Sequence, residues 1–141
     1  MAVRRAKAVW EGDLKNGRGT MSFGSFTGPY SFTSRFETGE GTNPEELIGA
    51  AQAGCFAMAL SHELAMKGRA PERIEAAAEV SLEKQGEGFA ITSVRLRVEG
   101  RVPGIDEEEF ARAAEEAAES CPVARALGGV RISVEAALAP A

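Results

Sequence analysis

The stretch Asn43 to Gly68, NPEELIGAAQAGCFAMALSHELAMKG, decides the fold, because it reads as one long helix with a cysteine at its middle. Asn43 suits the cap through its side-chain oxygen, and Pro44 suits the first helical position, where no amide donor is needed. Glu45 and Glu46 complement the positive end of the helix dipole, and Gly68 stops the helix. Leu47, Ala51, Cys55, Met58, Ala59, His62 and Met66 recur at three- and four-residue steps, which predicts that they form the buried stripe and that Cys55 faces protein. Gly49, Ala50, Ala51, Ala53, Gly54 and Ala57 are small enough to let another helix or a partner subunit approach the backbone. At about 36 Å the helix is long for a small domain, so its N-terminal end is expected to reach beyond the core of its own subunit.

Working outward toward the N-terminus, Ala6 to Leu14 reads as a strand and Asn16-Gly17 as a tight turn into a second strand, Gly19 to Phe26. After a Gly-Pro turn, Tyr30 to Glu37 alternates and predicts a third strand. Tyr30, Phe32 and Phe36 would lie on one face, with Arg35 on the other, pointing away from the aromatic rings. The loop Thr38 to Thr42 is glycine-rich but lacks the basic residue and spacing of a phosphate loop, so it reads as a flexible lead into the long helix.

Toward the C-terminus, Ile74 to Gln85 alternates as a half-buried strand, Gly86 to Gly88 turns it, and Phe89 to Val102 forms its partner. Opposite charges on the outer faces of these two strands are expected to pair. Asp106 and Glu109 mark a helix start, and Phe110, Ala113, Ala114, Ala117, Ala118 and Cys121 continue its apolar stripe. Pro122 disfavours helical geometry at Cys121, which predicts a break there. A short turn then leads to Gly128-Gly129 and a last strand with Val130, Ile132, Val134, Ala136 and Leu138. The predicted order is β-β-β-α-β-β-α-β, an α+β fold with mainly antiparallel sheets and a long central helix.

The 141 residues suit a single domain, residues 1–141, and 44% hydrophobic with 26% charged residues is the composition of an ordinary globular chain. A net charge of −5 with scattered basic residues argues against nucleic-acid binding. The most apolar run, Leu47 to Ser61, is too short to span a membrane and is interrupted by Gln52. The N-terminus has basic residues but no apolar signal region after them, so the chain is expected to stay in the cytoplasm, where cysteines are normally reduced. Two cysteines without a C-x-x-C pair, and one histidine, do not make a zinc site of ordinary ligand count.

A cytosolic cysteine serves either packing or chemistry, and the residues leave both open for Cys55 and Cys121. A cysteine in the middle of a helix gains little from the dipole, so a Cys55 thiolate needs a cation brought from elsewhere. Arg35 is the best candidate, the alternative being a solvated strand arginine. His62 stands seven helical residues from Cys55, about 10 Å away and outside hydrogen-bond reach, so a cysteine–histidine hydrolase is disfavoured. Glu45 lies about 15 Å along the axis from Cys55, and its simplest role is to complement the dipole. To act at a cysteine site it would have to come from the other subunit of an antiparallel pair.

Thr42-Asn43-Pro44-Glu45-Glu46-Leu47-Ile48-Gly49-Ala50-Ala51, followed by Cys55-Phe56 and by Ser120-Cys121-Pro122-Val123, resembles the family of osmotically inducible protein C (OsmC) and organic hydroperoxide resistance (Ohr) proteins. The likeness extends through Trp10-Glu11-Gly12-Asp13, Thr33-Ser34-Arg35-Phe36-Glu37, Gly88-Phe89-Ala90-Ile91-Thr92 and Pro103-Gly104-Ile105-Asp106, nearly the whole chain. Thr33 to Glu37 is closer to the OsmC branch than to the Ohr branch. Gln52 and Gly54 stand where histidine and alanine are expected in many OsmC-like sequences.

The resemblance implies an intertwined homodimer with cysteine sites at the subunit interface. It also implies thiol-dependent reduction of organic hydroperoxides and hydrogen peroxide. Position by position, it makes Cys55 the peroxidatic thiol, Cys121 the resolving thiol, Arg35 the thiolate-stabilising cation and Glu45 the group that orients Arg35. Cys55 would pass through a sulfenic acid to an intrachain disulfide with Cys121. An external dithiol, such as a dihydrolipoyl protein or a small dithiol, would then reduce it. No cofactor or metal is implied, and no nucleic-acid or membrane partner. The competing reading is a small-molecule- or lipid-binding module on the same dimeric scaffold with non-catalytic cysteines. Aromatic residues such as Phe23, Phe26, Tyr30, Phe36 and Phe56 are candidates to line an organic-substrate pocket.

Overall fold

A two-residue turn at Gly24-Ser25, with Gly24 at φ +52°, closes the second hairpin of the chain and places Gly28 and Pro29 inside a strand rather than in the expected turn. This computed structural model describes residues 1–140, which fall into two compact units, one running to Leu47 and the other starting at Ile48.

In the first unit, β1 (Ala6–Glu11), β2 (Arg18–Phe23) and β3 (Phe26–Tyr30) form an antiparallel meander in that order. Pro29 is tolerated because β3 is an edge strand, where a missing N–H leaves no ladder bond unmade. The β1–β2 connection is wider than the expected Asn-Gly turn. The Asp13 carboxylate accepts the Asn16 amide at 2.7 Å, and the Asp13 carbonyl accepts the Gly17 amide at 2.9 Å, so Asp13 organises the loop.

The expected strand at Tyr30 to Glu37 is instead β3 ending at Tyr30 and a short helix, α1 (Phe32–Phe36). Aromatics at i and i+4 fit a strand face and a helix face equally, and Phe32 and Phe36 meet across one helical turn at 4.9 Å between ring centroids. A capping box decides between the two: Ser34 N donates to Ser31 Oγ at 3.2 Å, and Ser31 N donates to Ser34 Oγ at 2.8 Å. The loop before the long helix is pinned rather than flexible at its end. Thr42 N donates to the Pro29 carbonyl at 2.8 Å, Ser34 Oγ donates to the Thr42 carbonyl at 2.7 Å, and Gly41 takes φ +106° against Pro29.

The unit boundary falls inside α2 (Pro44–Met66), which starts as expected with Glu46 N donating to Asn43 Oδ1 at 2.7 Å. The buried face of its second-unit part differs from the predicted stripe. Gly49, Gln52, Phe56, Leu60 and Leu64 are buried, whereas Ala51, His62, Met58 and Met66 are exposed, the last two by 76% and 75%, and Cys55 is half-buried at the margin. The helix is apolar nearly all round, so small residues and methionines fit either stripe. The bulky Phe56, Leu60 and Leu64, four residues apart, decide which face packs.

The second unit continues with β4 (Arg73–Gln85), β5 (Gly88–Arg101), α3 (Glu107–Ser120), α4 (Pro122–Ala126) and β6 (Arg131–Leu138). β4 and β5 pair as an antiparallel hairpin, and β6 returns through the two helices to lie parallel to β5 on its other side. The sheets are thus mainly antiparallel, with one parallel pair. Phe56, Leu60 and Leu64 of α2, Val94, Leu96 and Val98 of β5, and Phe110, Ala113, Ala114 and Ala117 of α3 form one apolar core. Gly100 of β5 admits the Phe110 ring, since a Cβ there would lie 2.5 Å from Phe110 Cζ. On the outer face the cross-strand ion pair is Arg97–Glu135 at 3.6 Å, between β5 and β6 rather than between β4 and β5.

One buried acid leaves a pH signature. Glu63 Oε2 is buried without a hydrogen-bond partner, and burial first, then the nearby Glu116 carboxylate, raises the Glu63 carboxyl above 4.5, with Lys67 and His62 opposing. The native protein therefore holds this proton after the unfolded chain has lost it. The associated stability is present at acid pH and disappears as pH rises through the raised native value. Glu63→Gln is expected to remove that loss, adding about 0.5 kcal/mol at pH 7 once solvent screening is allowed for, and nothing below about pH 4. Urea denaturation at both pH values checks it; an equal effect at both would contradict the assignment.

Candidate active site

Cys121 occupies the break between α3 and α4, and it caps both. Its backbone N–H closes the last turn of α3 on the Ala117 carbonyl at 3.1 Å, and its Sγ accepts the Ala124 amide of α4 at 3.4 Å. Pro122 at the first position of α4 forces the extended backbone at Cys121, φ −67° and ψ 141°, as the sequence predicts. The side chain is 1% exposed.

The fold brings the two cysteines together. Both are free thiols, and Cys55, half-buried on α2, lies near enough to Cys121 to act on its ionisation. Burial is the main cause that pushes the Cys121 thiol up from 9.0, and the neighbouring Cys55 adds to it. The Ala124 and Val123 amides pull the other way.

A third group at this place is one that sequence reasoning missed as a site residue. Gln52, fully buried on α2, donates from Nε2 to Cys121 Sγ at 3.6 Å. The signal was present: Gln52 is the polar residue that interrupts the most apolar run of the chain, three positions before Cys55.

Arg35 and Glu45 meet in the first unit. Arg35 Nε donates to Glu45 Oε1 and Nη2 to Glu45 Oε2, both at 3.0 Å, a fork-to-fork pair that fixes the guanidinium plane. Contrary to the strand-based expectation, Arg35 lies beside the aromatic residues: its guanidinium carbon stands 5.3 Å from the centroid of the Phe36 ring. It also lines a cavity of about 280 Å³ with Trp10, Leu14, Tyr30, Phe32 and Phe36. Of the aromatic residues expected at a substrate pocket, Tyr30 and Phe36 line this one. Phe23 and Phe26 stack on each other at the exposed hairpin tip, 4.8 Å between centroids, and Phe56 belongs to the core.

His62 is exposed. Among the described residues no three His, Cys, Asp or Glu side chains group as metal ligands, and no helix is long and apolar enough to cross a membrane.

Fold and site together define an α+β protein with two neighbouring free thiols. Comparison with known proteins assigns the family: the model for OsmC-like proteins matches residues 37–135, and the chain belongs to that family. It is 49% identical over 127 residues to the peroxiredoxin OsmC of Escherichia coli K12, covering 88% of this chain and 89% of that one. It is 35% identical over 92 residues to an organic hydroperoxide resistance protein of Xanthomonas axonopodis pv. citri, covering 64% and 63%. The crystal structure of the organic hydroperoxide resistance protein OhrB of Bacillus subtilis superposes with a TM-score of 0.71 at 28% identity, covering 98% of this chain and all of that one. The names of these relatives support a peroxidase role.

Proposed function

We propose that this chain reduces organic hydroperoxides, and hydrogen peroxide, through its two thiols. The observation that carries the reading is that the fold sets Cys55 beside the buried Cys121. The Cys55 sulfur attacks the terminal peroxide oxygen, the O–O bond breaks, and the products are a Cys55 sulfenic acid and an alcohol, or water from hydrogen peroxide. Cys121 then displaces the hydroxyl as water and leaves an intrachain disulfide, which an external dithiol returns to two thiols.

In this scheme Cys55 is the peroxidatic residue and Cys121 the resolving one. Arg35 stabilises the thiolate, Glu45 orients Arg35, and the aromatic cavity beside Arg35 takes the organic part of the substrate. The working form is an intertwined homodimer. Two features support that assembly: α2 leaves Ala51, Gly54, Met58 and Met66 uncovered on its second face, and the first unit buries no large apolar side chain while Val9, Leu14, Phe23 and Phe26 are exposed.

The test is the free-thiol content of the fully reduced protein before and after one equivalent of cumene hydroperoxide. Two thiols lost per chain, with the peroxide consumed and no crosslink between chains, is the expected result. Both thiols surviving would sink the reading and leave a binding module with structural cysteines.

A further inference from the structure

Gln52 is fully buried, yet only half of its amide is satisfied. Nε2 donates to Cys121 Sγ at 3.6 Å, while Oε1 is buried with no partner. A buried acceptor left this way is destabilising, and methionine would fill the same space without that cost. Space-filling therefore does not account for the amide. Its surroundings do: it touches the Cys121 sulfur, Cys55 lies near enough to Cys121 to act on its ionisation, and Cys55 is three residues along α2, on a neighbouring row of the same helix surface.

We propose that Gln52 is a positioning residue for disulfide closure: its amide N–H holds the Cys121 sulfur while its carbonyl accepts the hydroxyl hydrogen of the Cys55 sulfenic acid. This assignment rests on the peroxidase reading. In the reduced protein the thiol pair supplies no hydroxyl, and Oε1 stays unpaired. Peroxide creates the missing donor. The hydrogen bond orients the S–O bond with Cys55 Sγ toward its attacker, which is where closure gains its rate.

In the step itself the Cys121 sulfur attacks Cys55 Sγ, and the S–S bond forms as the S–O bond breaks. Hydroxide leaves and combines with the proton given up by the Cys121 thiol, so one water is released. The Cys55 sulfur is reduced from the sulfenic to the disulfide level and the Cys121 sulfur is oxidised to it, so no further oxidant enters. The Ala124 amide favours the thiolate form of Cys121 against the burial that disfavours it, and the Nε2 donor stands where it can act in the same sense.

The experiment compares the wild-type protein, Gln52→Met and Gln52→His after one equivalent of cumene hydroperoxide. Peroxide loss, dimedone-trapped sulfenic acid and disulfide are followed separately in time. Methionine conserves volume and should keep the fold. In Gln52→Met the slowing is expected at disulfide closure, by about tenfold or more, with sulfenic acid accumulating before it closes. Histidine carries one N–H donor and one ring acceptor and should restore part of the rate. In a Cys55→Ser background, Gln52→Met should also move the ultraviolet titration of the Cys121 thiolate to higher pH. Closure in Gln52→Met at the wild-type rate, with no trapped sulfenic acid, would overturn the assignment. Failure of the peroxidase reading looks different, since the wild-type protein itself would then leave the peroxide unconsumed, and the role of Gln52 would fall with it.

Discussion

Replacing Cys55 by serine is expected to lower peroxide consumption by at least about a thousandfold while leaving the fold intact. A serine hydroxyl at neutral pH is a far weaker nucleophile than a thiol, and nothing at this place supplies a general base to activate it. Cys121 is no substitute: it is 1% exposed, and burial holds its thiol in the protonated form. Because Cys55 lies at the margin of the buried face of α2, outside the cluster of Phe56, Leu60 and Leu64, serine there removes little packing. Cys121→Ser should behave differently, consuming one equivalent of peroxide per chain and stopping with a sulfenic acid that dimedone captures. Sustained turnover with an added dithiol by the Cys55→Ser protein would end the assignment of that residue as nucleophile.

The second large effect is expected at Arg35. If Arg35 has the proposed role of steadying the Cys55 thiolate, methionine in its place should reduce kcat/KM for cumene hydroperoxide by about a hundredfold, the usual loss when a preorganised catalytic charge is removed. Lysine should restore little, because a single ammonium cannot reproduce the two parallel bonds from Nε and Nη2 to the Glu45 carboxylate. Glu45→Gln should fall between, since it keeps the shape of the partner and loses half of the fork. A Michaelis–Menten series on the three variants reads this directly, and an Arg35→Met protein within twofold of wild type would remove the arginine from the chemistry.

The limits of α2 were legible because its ends are marked by residues with few other uses: Asn43 and Pro44 at one end, and Gly68, at φ +76°, at the other. Its buried face was not. Alanine, glycine and methionine fit either side of a helix, and the choice was made by where Phe56, Leu60 and Leu64 meet Val94 and Leu96 of β5, residues about thirty or more positions later in the chain. The segment Phe32 to Phe36 failed for a different reason. Alternation over five residues cannot separate a strand from a helical i,i+4 pair, whereas Ser31 and Ser34 carried the capping signal that did. Both cysteines were legible as candidates, and the break at Cys121 followed from Pro122. Their contact depends on how α3 and α4 return against α2, which no local pattern encodes. Gln52 was visible as an oddity, a polar side chain in an apolar run, but its meaning required the sulfur it touches.

The sulfur of Cys121 does two jobs that pull on each other. It is the acceptor that holds the first turn of α4 through the Ala124 amide, and it is also the atom that would enter a disulfide. A disulfide sulfur has less charge to offer an N–H than a thiol or thiolate, so in the proposed cycle each oxidation would weaken the cap of a helix only five residues long. The local order of Pro122 to Ala126 would thereby be tied to oxidation state. A reductase approaching this surface would meet a loosened helix end on the oxidised protein and a closed one on the reduced, a physical basis for telling the two forms apart.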